Sequence, residues 1–261
     1  MTELMGVVNV TPDSFSDGGL YLDPEAAIAH GRELAEAGAE ILDVGGESTR
    51  PGAEPVGEEE ELRRVVPVIR GLSSAQSRIS VDTSKAAVAA AALDAGAEIV
   101  NDVTALLGDP DMASLCAERG ATVVLMHMLG EPRTMQKDPR YEDVVSDVKA
   151  FLAERLEAAV AAGVAEEQVW LDPGIGFGKT GAHNMELLRR LGELRELGRP
   201  LVIGTSRKSF IGKVDGSPAD QRLGGTIASS VLAAAEGAEV LRVHDVAEMR
   251  QALAVATAIL G

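Results

Sequence analysis

The sequence predicts an α/β protein folded as a single (β/α)8 TIM barrel, and three observations carry that expectation. Short apolar, β-branched runs alternate with longer amphipathic Ala/Leu/Glu segments along the whole chain. The length of 261 residues is that of one such barrel, and neither a shift of composition nor a linker divides it, so residues 1–261 read as one domain. Polar and glycine-rich clusters follow the strand-like runs rather than precede them, and a barrel builds its site at the C-terminal ends of its strands.

The elements follow in order. Leu4–Val8 is the first strand, and Asp23-Pro24 opens a helix over Pro24–Ala37 with proline where its missing N–H costs nothing. Strand Ile41–Val44 precedes helix Glu58–Gly71, strand Ile79–Asp82 precedes helix Lys85–Ala95, and strand Ile99–Val103 precedes helix Asp111–Arg119. Strand Thr122–His127 leads to helix Asp143–Ala162, strand Val169–Asp172 to helix His183–Leu197, and strand Leu201–Gly204 to helix Leu223–Ala235. Strand Val240–Val243 and helix Val246–Ile259 close the series. Gly38, Gly96, Gly120 and Gly163 are helix stops, and the Ala-Gly-Ala triplets at 37–39 and 95–97 mark a repeated turn from helix to strand.

Composition narrows the function. Aromatic residues are 3% of the chain, so Val, Leu, Ile and Ala must fill the core. A net charge of -17 argues against a nucleic-acid or anionic-membrane partner, since either needs a basic face. An anionic substrate must then meet a local cluster of cations. Cys116, without a partner for an internal disulfide, reads as a buried helix residue in a reducing compartment. The chain has no apolar N-terminal run of signal-peptide length and no apolar stretch of about 18 residues. A soluble cytoplasmic protein is expected.

Every strand exit carries chemistry. The first opens into Asn9–Gly19, the second runs from Asp43 through Gly45 to Gly52, and the third ends in Asp82-Thr83-Ser84-Lys85. The fourth carries Asn101-Asp102, the fifth Met126-His127-Met128, and the sixth Asp172 with a glycine-rich run to Lys179. The seventh gives Ser206-Arg207-Lys208-Ser209, and the eighth Arg242-Val243-His244-Asp245. Amides, hydroxyls and cations of this kind suit an anion or a metal–anion pair, although one such loop alone could be an ordinary turn. Residues 242 and 244 lie two apart, so on a strand both would point to one face.

These motifs, spanning nearly the whole chain in order, resemble those of the bacterial dihydropteroate synthases, pterin-binding enzymes of folate synthesis and targets of sulfonamides. The resemblance implies condensation of 6-hydroxymethyl-7,8-dihydropterin pyrophosphate with p-aminobenzoate, release of pyrophosphate, use of Mg2+, and a homodimer. It implies that Asp82, Asn101, Met126, Asp172 and Lys208 hold the pterin, with Asp172 matched to the two parallel N–H donors of its amino-pyrimidinone edge. Asn9, Arg50, Arg242 and His244 would meet the pyrophosphate, with Asn9 also near the metal. Thr49, Arg50, Pro51, Phe177 and Ser209 would line the p-aminobenzoate site. Asp82, Lys208, Arg242 and His244 would take part in catalysis, by dissociative C–O cleavage and amine attack.

Each residue also has a plainer reading. Asp172 could cap a helix, Asn101 could sit in a strand-end turn, Met126 could be core, and Lys208 and Arg50 could be solvated surface cations. Two other functions use the same fold: a methyltetrahydrofolate-binding methyltransferase domain, which has no need of Asn9, Arg242 and His244 as a pyrophosphate cluster, and a catalytically silent pterin-binding paralogue.

Overall fold

The structure, a computed structural model, describes residues 2–11, 23–48, 53–130 and 134–260. Eight strands run parallel: β1 (Glu3–Asn9), β2 (Ile41–Gly45), β3 (Arg78–Asp82), β4 (Ile99–Asp102), β5 (Thr122–Met126), β6 (Val169–Asp172), β7 (Val202–Ile203) and β8 (Val240–Val243). They pair in the order β6-β5-β4-β3-β2-β1-β8-β7. A parallel bridge between Leu171 and Leu201 joins the two edges, so the sheet closes on itself. This is the expected (β/α)8 barrel.

The helices are α1 (Pro24–Glu36), α2 (Glu58–Leu72), α3 (Ala86–Asp94), α4 (Met112–Arg119), α5 (Val144–Ala161), α6 (Gly181–Arg189), α7 (Ser209–Asp215), α8 (Leu223–Ala235) and α9 (Val246–Leu260). Asp23 caps α1 by accepting from the Glu25 N–H at 3.0 Å, with Pro24 in the first turn. Two expectations are corrected. The segment expected as one helix over His183–Leu197 divides: α6 starts earlier, on a Thr180 cap, and a 3-10 helix follows over Leu191–Leu197. Leu191, Leu194 and Leu197 are spaced by three, and that period stacks them on one buried side of a 3-10 turn. The short helix α7 also lies in a segment outside the expected helices.

Two apolar regions hold the barrel together. Leu, Val, Ile and Ala between the strands and the helices form the large outer core, as the scarcity of aromatics requires. Inside the barrel, Met5, Ile41, Ile99, Val124, Trp170, Val202 and Val240 form a separate plug. The Arg78 guanidinium lies 5.3 Å from the Trp170 ring centroid and pairs with Glu3 at 2.6 Å. Side chains along a strand alternate faces, so the inward residue two places after each plug residue sits nearer the C-terminal rim. Ile41 is thus followed by Asp43, Ile99 by Asn101, Val124 by Met126, Trp170 by Asp172 and Val240 by Arg242. Period-two patterning thus puts four polar side chains, Asp43, Asn101, Asp172 and Arg242, on top of an apolar floor. No helix among the described residues is long and apolar enough to cross a membrane.

Candidate active site

Arg242 stands at the centre of that layer. Its Nε donates to Asp43 Oδ2 at 2.6 Å and its Nη2 to Asp82 Oδ2 at 2.9 Å. Asn101 Nδ2 donates to the same Asp43 oxygen at 3.1 Å. Asp43 is fully buried, and its other oxygen, like the neighbouring Ser80 hydroxyl, has no hydrogen-bond partner among the described residues. Burial raises Asp82 to about 7; Arg242 opposes that shift, and the Asp43 carboxylate adds to it. Burial also disfavours the Arg242 cation, but the two carboxylates outweigh it and hold the guanidinium charged.

Asp172 ends β6 across the barrel, with Met126 as its register partner on β5. Its Oδ1 accepts from the Gly174 N–H at 2.7 Å. No helix starts there, because α6 is capped by Thr180, so the N-cap alternative for Asp172 does not hold. Burial raises its pKa, against the Gly174 hydrogen bond and the Lys208 and Lys179 charges. Met126 is buried but belongs to neither apolar cluster, which favours a wall of the site over core packing.

Lys208 is no solvated surface cation. Its ammonium donates to the Ile175 carbonyl and lies 4.3 Å from the Phe177 ring centroid. Burial lowers it to about 8, with Asp172 holding it up and Arg242 pushing it further down. The residues before it are fixed from the turn after β8: the Ser206 hydroxyl meets His244 Nδ1 at 2.9 Å, and Arg207 pairs with Asp245 at 2.6 Å. Arg207 has φ of 57°, a left-handed conformation unusual for a long side chain, sustained by this pairing and by the Arg207 N–H to Thr226 hydroxyl bond of 2.9 Å.

The structure gathers Asp82, Asn101, Met126, Asp172, Lys208, Arg242 and Phe177 at one rim. Asn9 ends β1 opposite Gly45 and is half-buried. His244 follows β8 by one residue and bonds Ser206, whereas Arg242 turns to Asp43 and Asp82. The two therefore have different partners. Ser209 is exposed and begins the seven-residue α7. Thr49, Arg50 and Pro51, with most of the loop after Asn9, lie outside the described residues. Their neighbour Glu47 is held by Lys85, which also pairs with the fully buried Glu61, so Lys85 serves the framework of this loop.

Sequence reasoning passed over Asp43, His127 and Lys179 as site residues. The signal for Asp43 was available: an acid two residues after Ile41 in an otherwise apolar strand. Lys179 is 1% exposed, and its ammonium meets His127 Nδ1 at 2.8 Å and the Phe177 carbonyl at 3.0 Å. Burial lowers it to about 7, and burial together with Lys179 lowers His127 to about 3.

A parallel barrel with buried carboxylates facing desolvated cations at its C-terminal rim has the layout of an enzyme for a small polar substrate. The chain belongs to the pterin-binding enzyme family, whose model matches residues 5–244. It is 46% identical over 259 residues to the dihydropteroate synthase of Escherichia coli K12, covering 99% of this chain and 92% of that protein. It is 49% identical over 257 residues to a probable bifunctional folylpolyglutamate synthase/dihydropteroate synthase of Haloferax volcanii, covering 98% of this chain but 30% of that longer protein. The Yersinia pestis dihydropteroate synthase with a sulfonamide drug superposes with a TM-score of 0.96 at 46% identity, over 99% of this chain and 94% of that one. The Xanthomonas albilineans enzyme in complex with 7,8-dihydropteroate superposes with a TM-score of 0.90 at 47% identity, over 100% of this chain and 94% of that one.

Proposed function

We propose that this enzyme condenses 6-hydroxymethyl-7,8-dihydropterin pyrophosphate with p-aminobenzoate to give 7,8-dihydropteroate and pyrophosphate. The observation that carries the reading is the buried Asp172 carboxylate, which caps no helix, beside the desolvated Lys208 and above an apolar floor. A carboxylate there matches the paired N–H donors of the pterin edge, Lys208 suits a ring carbonyl, and Asn101 suits a mixed donor–acceptor edge. Met126 would flank the ring.

The reaction breaks the C–O bond between the pterin methylene and pyrophosphate. The electron pair leaves with the pyrophosphate, which Asn9, Arg50, Arg242 and His244 would bind. A dissociative course leaves positive charge on the methylene, and the Asp82 carboxylate suits its stabilisation. The amine nitrogen then forms the new C–N bond and loses its proton to solvent. An aryl amine is neutral near pH 7, so no strong base is needed. Phe177 and Ser209, with Thr49, Arg50 and Pro51, would receive the p-aminobenzoate.

Mg2+ fits this donor set, since the ion usually keeps several waters and takes one or two protein oxygens together with substrate phosphates. Asn9 would hold it, and bound there it would neutralise charge on the pyrophosphate. A homodimer and a cytoplasmic location belong to the same proposal. The exposed Leu232 on α8 and Val255 and Ile259 on α9 offer an apolar face for a second copy. Light scattering measures the assembly, with a monomer at micromolar concentration counting against it.

Pyrophosphate release assayed with both substrates, and with each withheld, tests the function. Release that depends on both supports the synthase. Binding of pterin without turnover would favour a silent paralogue instead.

A further inference from the structure

We propose that Lys179, with His127 as its acceptor, is a positioning residue that fixes the Phe177 backbone and thereby the ring facing the aryl amine. The inference rests on the synthase reading for the role of Phe177. It concerns a buried cation whose stated part so far is only its charge beside Asp172.

Lys179 is among the largest fully buried side chains, yet among the described residues its hydrogen bonds go to no carboxylate. Its acceptors are His127 Nδ1, the His127 carbonyl at 3.4 Å and the Phe177 carbonyl. His127 stays neutral at physiological pH, which leaves Nδ1 free to accept. An apolar side chain of the same length would avoid the cost of burying an ammonium, so stability alone does not account for a lysine here.

What the ammonium holds is the loop between β6 and α6. A Cβ at Gly174, where φ is +66°, would lie 1.9 Å from the His127 carbonyl oxygen, so the loop packs directly on the exit of β5. Its outer side is tied by the Tyr141 hydroxyl, which donates to the Gly178 carbonyl at 2.7 Å. Lys179 ties the inner side, two residues from Phe177. Displacing that ammonium moves the Phe177 carbonyl, and with it the ring that lies against Lys208.

Lys179→Met keeps the side chain's length and removes the ammonium. The KM for p-aminobenzoate should rise about tenfold, while affinity for a phosphate-free pterin, read by calorimetry, should change less than about twofold. His127→Leu should raise the same KM by a smaller factor, and His127→Asn, which offers an amide oxygen to the ammonium, should restore it. Amide exchange over residues 174–180 should quicken in Lys179→Met whether or not turnover is measured. Absent turnover by the unaltered enzyme would defeat the synthase reading, and the exchange rates would then decide the loop's dependence on Lys179. An unchanged KM, an equal loss of pterin affinity, or unchanged exchange would overturn the proposal. If Lys179→Met fails to fold, equal KM values for His127→Leu and His127→Asn would overturn it.

Discussion

Asp82→Asn should make the protein more stable above pH 7 and a poorer catalyst at every pH. In the folded state Asp82 rises from 3.8 to about 7, first through burial and then through Asp43, against the pull of Arg242. The difference, about 3 units at 1.36 kcal/mol each, is roughly 4 kcal/mol. The folded protein therefore binds this proton more tightly than the unfolded chain. That contribution is complete below about pH 4 and is lost as the pH rises to about 7. Asparagine carries no charge to desolvate and still offers Arg242 Nη2 an acceptor. The variant's advantage should grow by roughly 3 kcal/mol between pH 5 and pH 8, measured by urea unfolding of both proteins at each pH. Turnover should fall by at least about tenfold if, as proposed, the Asp82 carboxylate faces the developing positive charge. A stability difference that stays flat with pH, or favours the unaltered protein at pH 8, would refute the argument.

Asp172→Ala should weaken pterin binding by roughly 2–4 kcal/mol, as the ligand's donors lose their acceptor, with a thermal midpoint shifted by only a few degrees. Undiminished affinity in calorimetry would remove Asp172 from the site. Arg242→Ala should destabilise the fold by roughly 3–5 kcal/mol, because it strands the Asp43 and Asp82 carboxylates. Chemical unfolding checks this, and a neutral result would mean that one of the two acids takes up a proton at little cost. The pH profile of kcat/KM should climb through about 7 as Asp82 ionises and decline through about 8 as Lys208 loses its proton. Asp82→Asn should remove the climbing limb and keep the declining one.

The alternation of strand and helix was legible because it depends on local period. The rim position of Asn101, Asp172 and Arg242 was legible for the same reason: each sits two residues after an apolar residue that faces inward. The partners of those side chains were not, because they arise only when the sheet closes. Asp43 and Arg242 are 199 residues apart in sequence and meet because β1 pairs with both of their strands, β2 and β8. Lys179 reads as a loop lysine until the glycine-rich run folds onto β5 and turns it inward. Residues 242 and 244 share the parity of one face, but β8 ends between them at Val243, and Ser206 takes His244.

On the mechanism proposed above, Arg242 would link the two halves of the reaction. In the structure it is held by two carboxylates, one of which, Asp82, is kept ionisable near neutrality by that contact. If Arg242 turns toward pyrophosphate, Asp82 loses its nearest cation while Asp43 remains beside the site. An uncompensated buried carboxylate is costly, so it must either bind a proton or meet another positive charge. On the proposed dissociative course, the methylene cation that forms as pyrophosphate departs would supply such a charge. Leaving-group binding would thus leave the ionised form of Asp82 without its cation, so that this form gains most from the charge developing on the methylene, with no base involved. The measurable consequence precedes chemistry: pyrophosphate alone should raise the Asp82 pKa, followed by carbon NMR of the labelled carboxyl. A pKa that falls or stays unchanged on pyrophosphate binding would mean that Arg242 remains on Asp82 and that the two events are independent.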